Sequence, residues 1–337
     1  MLKAIFLIIL LLCSLTLSSF AQAMSLDKNI QKVIKLPLNN WSSQRVLSKA
    51  LGTMIQSLGI PVEYKDISAQ DQWGALPKGV IHLQLEVWQV SMAKDFNRMV
   101  QQGYITDLGS HKAVGKEDWW YPEYVEELCP GLPDWQAMNN CATLFSTPQS
   151  KNKGVYYAGP WDYGDGDIIR ALDLNFTIHR FENDTKVWQK LEQALKKKQP
   201  IMLLNWTPNW TDTRLKGKFV KFPTYQPACE TDPSWGINKL LLKDCANPSN
   251  GWLKKAAWPG LEKYSPCVFQ LAKNINLNTE MIADASALYV IEKLSEDDAA
   301  QAWLEKYKKS VDKWLALPCN KTEKNGHKRT HVRFFEH

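Results

Sequence analysis

The chain has 337 residues and a formal net charge of +6, from 41 Lys and Arg against 35 Asp and Glu. Its 15 tryptophans outnumber either the 11 phenylalanines or the 11 tyrosines. The length suits two ordinary domains or one large one. The basic residues are scattered among acids, which argues against a nucleic-acid groove and for a soluble surface. Tryptophan in such excess points to ligand contact, because its large ring carries core and interface work.

The first residues have the pattern of an export signal. Lys3 precedes the apolar run Ile5 to Leu17, and Ala21-Gln22-Ala23 is a small-residue cleavage site. Residues 1–23 are therefore expected to be removed, leaving a mature start near Met24 in the periplasm. The run is too short for a membrane span. Leu12 stands where a small residue would precede a lipidated Cys13, so no lipid anchor is expected. Six cysteines remain after Cys13: Cys129, Cys141, Cys229, Cys245, Cys267 and Cys319. An even number in an oxidising compartment favours disulfides. Proximity along the chain pairs Cys129 with Cys141, Cys229 with Cys245 and Cys267 with Cys319, although other pairings stay open. No C-x-x-C or Cys/His cluster is present, so neither a metal nor a cofactor is expected.

Val33 to Leu38 reads as a first strand ending at Asn39-Asn40-Trp41. A helix capped by Ser42 or Ser43 follows, with Leu47, Leu51, Met54, Ile55 and Leu58 on one face. Val62 to Tyr64 is a second strand, and Val80 to Val87 a third, ending at Trp88. A helix from about Ser91 carries Met92, Phe96, Met99 and Val100. Between Asp118 and Asp134 the run Trp119-Trp120-Tyr121-Pro122 with Tyr124 reads as an aromatic loop.

Gly154 to Ala158 is a strand leading to Gly159-Pro160-Trp161. Asp162 to Asp167 is a turn, followed by a short helix. The acids and glycines there lack the twelve-residue calcium pattern, so helix capping is the better reading. Asp184 opens a helix through Lys198, whose terminal lysines suit the helix dipole. Ile201 to Leu204 is a strand running into Asn205-Trp206-Thr207-Pro208-Asn209-Trp210, since a helix does not continue through Pro208. Residues 223–266 read as a Trp-, Pro- and Cys-rich elaboration. Ser295 with Asp298 resembles a capping box, and Trp303, Tyr307, Val311 and Trp314 fall on one helix face as core. The basic tail Lys321 to Arg333 reads as a solvated extension.

Alternating strands and helices predict an α/β fold. Four strands are each followed by a tryptophan, namely Trp41, Trp88, Trp161 and Trp206. The carboxyl ends of strands in such folds gather at a ligand crevice. Aromatic faces around one space bind a quaternary ammonium, which has no N–H to donate.

The segment Leu204 to Trp210 resembles the W-T-P-x-W segment of betaine binders. Leu85-Glu86-Val87-Trp88 and Asn40-Trp41-Ser42-Ser43 resemble two further cage segments, and Asp297 to Leu304 matches as well. The chain thus resembles the substrate-binding proteins of ABC importers for glycine betaine, proline betaine and choline. The resemblance implies a type II-like periplasmic binding protein of two lobes, each a mixed sheet flanked by helices, with the ligand in the cleft between them. Lobe one would be 24–110 with 215–337, and lobe two 111–214. It implies cage walls at Trp41, Trp88 and Trp206, with Tyr124 as a fourth and Trp161 at a further cage position. Asp165 is a candidate to face the ammonium, and backbone N–H groups near Gly164 and Gly166 are candidates for a ligand carboxylate. Ser43 stands where the choline binders keep an acid. A monomer is expected to deliver a compatible solute such as glycine betaine or choline to an inner-membrane permease, in osmoprotection. The sequence lacks a G-x-S-x-G elbow, an H-E-x-x-H and a P-loop, so no enzyme is expected. The alternatives are a secreted enzyme, or a sensor or carbohydrate-binding domain using the same aromatic cleft.

Overall fold

The computed structural model describes residues 32–161 and 163–316. The expected export signal, Asp162, Cys319 with its pairing to Cys267, and the basic tail lie outside these residues.

Two strands, β1 (Ile34–Leu38) and β2 (Val62–Asp66), form a small parallel sheet in register from Ile34↔Val62 to Leu38↔Asp66. The larger sheet contains β3 (Leu83–Trp88), β4 (Thr106–Pro122), β6 (Gly154–Ala158), β7 (Phe176–Arg180), β8 (Met202–Thr207), β9 (Gly217–Phe219) and β10 (Gly251–Ala257), while the short β5 (Pro130–Pro133) lies outside it. Its order is β3-β10-β4-β8-β6-β7, with β9 also on β4.

The 17-residue β4 organises this sheet. Its first part pairs antiparallel with β10, from Ala257↔Thr106 to Gly251↔Gly115. Its second part pairs antiparallel with β8, from Lys116↔Thr207 to Trp120↔Leu203. Because β3 is antiparallel to β10, it runs in the same sense as β4, whereas β8 and its parallel neighbour β6 run against it. The carboxyl ends of β3 and β8 therefore point toward each other and meet near Gly115 and Lys116. The sequence predicts the tryptophans at strand ends that gather at a crevice, as in an open parallel sheet. The structure instead brings them together where two opposed half-sheets meet.

Helices cover these sheets. In α1 (Ser42–Ser57), Val46, Leu47, Ala50, Leu51, Met54 and Ile55 recur at helical spacing and are buried. They pack against α6 (Thr279–Val290) and α7 (Glu296–Lys306), each large aliphatic side chain contributing about 1.5–3 kcal/mol. The longer intervening helices are α2 (Gln89–Gln101), α3 (Asp165–Ala171), α4 (Asp184–Lys197) and α5 (Pro266–Asn274). Asn183 caps α4 by accepting from Lys186 N at 3.1 Å. The expected cap at Ser295 forms, its hydroxyl accepting from Asp298 N at 3.1 Å. The predicted stripe from Trp303 to Trp314 spans two helices, α7 and α8 (Lys308–Leu315), that break at Tyr307. Trp303 is core as expected, stacked on Trp314 and donating to Met281 O at 2.7 Å.

Two expectations about loops are corrected. Trp119, Trp120 and Tyr121 are not in a loop but in β4, buried between its neighbours. Both faces of this strand are covered, so the alternation that marks a half-exposed strand is missing. The 223–266 elaboration contains β10, a central strand disguised by Lys254 and Lys255. Lys254 pairs with Asp107 at 2.7 Å. Lys255 is buried and donates to the carbonyls of Lys273 and Ile275 at 3.0 and 2.5 Å, at the end of α5. Residues 223–250 are loop-rich and held by a Cys229–Cys245 disulfide, and a second disulfide joins Cys129 to Cys141.

Candidate functional site

Trp41 precedes α1 in extended conformation, three residues after β1 ends. Trp88 is the last residue of β3 and precedes α2 in the same way. Trp206 lies within β8, directly across from Glu117 on β4, so both side chains leave the sheet on one face. Trp161 follows β6 and folds back over Gly159, where a Cβ would lie 2.1 Å from the indole. Gly115 likewise leaves room for Trp88, since a Cβ there would lie 3.0 Å from the ring.

These four indoles, each 4% exposed, enclose one small cavity completed by Ser91, Met92, Glu117 and Tyr163. The space between these side chains is about 260 Å³, counting the solvent at its mouth. Trp161 stands perpendicular to Trp41, with ring centroids 6.3 Å apart at 83°, and to Trp206, at 5.6 Å and 84°. The rings thus form adjacent walls of a box.

Hydrogen bonds hold the walls. Trp41 and Trp88 both donate their indole N–H to Glu86 Oε2, at 2.8 and 3.1 Å. Ser43, at the position where the resemblance expects an acid, donates its hydroxyl to the same oxygen at 3.0 Å. Trp161 donates to Asn40 Oδ1 at 3.2 Å. Trp188, on α4, backs Trp206 with centroids 5.1 Å apart and donates to Asp184 Oδ2 at 3.2 Å. That carboxylate also accepts from Ser42 N at 2.8 Å, tying the Trp41 segment to α4.

Glu117 is the carboxyl group on the cavity wall. It accepts from Ser91 Oγ at 3.1 Å and from Tyr163, while its Oε2 is buried and has no hydrogen-bond partner among the described residues. Burial pushes the Glu117 carboxyl up to about 7, against the pull of its donors. Burial pushes Glu86 up to about 7 as well, against Trp41, Ser43 and Trp88. Asp184 is raised for the same reason. Among the described residues, neither Glu86 nor Glu117 has a basic partner in an ion pair. An aromatic box backed by carboxylates, without a basic side chain on its wall, attracts a cation with a methylated surface.

Residues 32–306 match the family described as the substrate binding domain of ABC-type glycine betaine transport systems. The chain belongs to this family. Its members are binding proteins of ABC transporters, not enzymes. The trimethylamine N-oxide-binding protein of Pelagibacter ubique (strain HTCC1062) is 34% identical over 284 residues, covering 81% of this chain and 88% of that protein. An ABC-transporter choline-binding protein in complex with choline superposes with a TM-score of 0.66 at 17% identity, covering 85% of this chain and 92% of that one. The Borrelia burgdorferi glycine betaine/L-proline-binding protein gives a TM-score of 0.67 at 15% identity, covering 86% and 99%. The fold is the mixed α/β architecture of two-lobed periplasmic binding proteins.

Within this binding protein, Trp41, Trp88, Trp161 and Trp206 converge on one cavity, while two other expected residues stand apart. Tyr124 is half-buried and donates its hydroxyl to Gln199 O at 2.7 Å. It lies past the far end of β4, beside the residue that precedes β8 by three positions, and does not line the cavity. Asp165 is buried behind the site, accepting from Trp119 Nε1 at 3.1 Å and Arg180 Nη2 at 3.3 Å. Gly164 and Gly166 do not line the cavity either. Trp210 packs on Trp188 with centroids 5.4 Å apart and contributes to a different groove. Asn205 and Thr207 organise the loop, binding Thr211 Oγ1 at 2.9 Å and Asp212 at 2.6 Å.

Ser91, Met92, Glu117 and Tyr163 were missed. Glu117 had one weak signal, an acid with Asp118 just ahead of the aromatic run Trp119 to Tyr121. Its place opposite Trp206 depends on strand register, which the sequence does not state.

Proposed function

We infer that this binding protein captures a compact trimethylammonium compound, and that trimethylamine N-oxide is its best-fitting ligand. The reading is carried by the unpartnered Glu117 oxygen in a cavity walled mainly by four indoles. The indoles take the methylated nitrogen, each face contributing roughly 0.5–2 kcal/mol. Four such faces sum to roughly 2–8 kcal/mol, which reaches the micromolar range at its upper end. The N-oxide oxygen is an acceptor that needs one donor. With its carboxyl raised to about 7, Glu117 carries that proton in about half of the free molecules at neutral pH, and binding the N-oxide favours the protonated form.

Glycine betaine fits less well. Its carboxylate would meet the Glu117 carboxyl without a basic residue on the wall, and a buried unpaired charge is costly. Choline is the second reading, favoured by the same residue in its ionised form, which accepts from the choline hydroxyl. The 34% identity to a trimethylamine N-oxide-binding protein supports the first reading.

In this proposal lobe one is 24–110 with 215–337 and lobe two is 111–214. The change of pairing along β4 between Gly115 and Lys116 supports a boundary near there. The mature chain acts as a periplasmic monomer, freed of residues 1–23, and hands its ligand to an inner-membrane permease.

Calorimetry with trimethylamine N-oxide, choline and glycine betaine near neutral pH tests the assignment. Trimethylamine N-oxide is expected to bind most tightly. Tighter binding of glycine betaine would overturn it.

A further inference from the structure

Glu86 is fully buried on β3 and does not line the cavity. Its Oε2 receives three donors, two of them the indole N–H groups of Trp41 and Trp88, at 2.8 and 3.1 Å. These two walls come from different elements, the start of α1 and the end of β3. An indole has only this one donor, so pinning both at one oxygen fixes their edges relative to each other and leaves their faces for the cavity. Hydrogen bonds to an anion also polarise the donor, which makes each indole face more negative.

The surroundings of Glu86 leave its charge uncompensated. Its Oε1 is buried and has no hydrogen-bond partner among the described residues. Its neighbours Gln84 and Ser43 are neutral, and the charged group acting on it from α4 is Asp184, of the same sign. A buried carboxylate without a counter-cation is costly, and a cation inside the box relieves that cost.

We propose that Glu86 is a positioning and specificity-determining residue, which sets Trp41 and Trp88 as a pair and supplies through them the negative charge that holds a cationic ligand. This rests on reading the cavity as a methylated-ammonium site. The charge acts most strongly on a ligand of net charge +1. Trimethylamine N-oxide carries its compensating negative oxygen on the same nitrogen, and its field contact with Glu86 is smaller.

The test compares tetramethylammonium with trimethylamine N-oxide on wild type and on Glu86→Gln, by calorimetry at one pH. The amide oxygen still accepts from both indoles, but the charge is gone. Tetramethylammonium affinity is expected to fall at least tenfold and trimethylamine N-oxide affinity less, shifting their ratio at least threefold. Unchanged affinity for both, or an equal loss for both, overturns the proposal, the second result assigning Glu86 a merely structural role. Should Glu86→Gln not fold, Glu86→Asp keeps the charge while withdrawing the acceptor. It is then expected to weaken both ligands at an unchanged ratio, and a changed ratio overturns the proposal. Wild-type protein that binds neither probe refutes the reading of the cavity instead.

Discussion

Replacing Glu117 by glutamine separates the proton it carries from the shape it provides. In the wild type, Glu117 must be protonated to donate to the N-oxide, and its carboxyl in the folded protein sits at about 7. Below that pH the donor is present and its contribution to affinity is constant. Above it, the complex holds a proton that the free protein has lost. Affinity then declines tenfold per pH unit, about 1.4 kcal/mol each. At roughly two units above the titration point the loss is about 100-fold, near 2.7 kcal/mol. Glu86 titrates in the same range with the opposite sign, because its ionisation strengthens the hold on the ammonium. Glu117→Gln keeps an N–H donor and does not titrate, so the ratio of dissociation constants, wild type over variant, isolates Glu117. Fluorescence titration with trimethylamine N-oxide between about pH 6 and 9 measures it, the box tryptophans serving as reporters. The ratio is expected to be flat below about 7 and to climb tenfold per unit above it. A ratio independent of pH would show that no proton on Glu117 takes part.

Trp88→Ala and Trp206→Ala are each expected to weaken trimethylamine N-oxide binding at least tenfold, roughly 1.4 kcal/mol, with circular dichroism unchanged; unaltered affinity in both would make these indoles core residues. Tyr124→Leu removes a side chain outside the box and should change affinity less than twofold in the same calorimetric assay, while losing about 1 kcal/mol of stability with its hydrogen bond to Gln199 O. The Cys229–Cys245 bridge closes a loop of sequence separation 16. Its removal by a double Cys→Ser substitution should lower the unfolding free energy by about 3 kcal/mol in a denaturant titration, and a change below about 1 kcal/mol would count against a structural role.

Local patterns in the chain determined a good deal of this protein. The apolar stripe of α1, the cap at Ser295, the strand from Gly154 to Ala158 and the four strand-end tryptophans depend on neighbours a few residues apart. Periodicity and turn chemistry report such neighbours directly. Strand β10 escaped because its lysines are satisfied by groups far along the chain, Asp107 for Lys254 and the end of α5 for Lys255. The aromatic run of β4 passed for a loop because burial on both faces removes the alternation of a strand. The tertiary structure alone decided which acids serve the tryptophan box. Glu117 belongs to it through its register with Trp206, and Glu86 through the convergence of two indole N–H groups on one oxygen. Asp165, closer in sequence to Trp161 than either, is turned away to Trp119 and Arg180. Residue type and spacing named the walls of the site because aromatic faces can be recognised one at a time. Its electrostatics depend also on distant pairs, Trp41 with Glu86 and Trp206 with Glu117, which only the folded register and packing bring together.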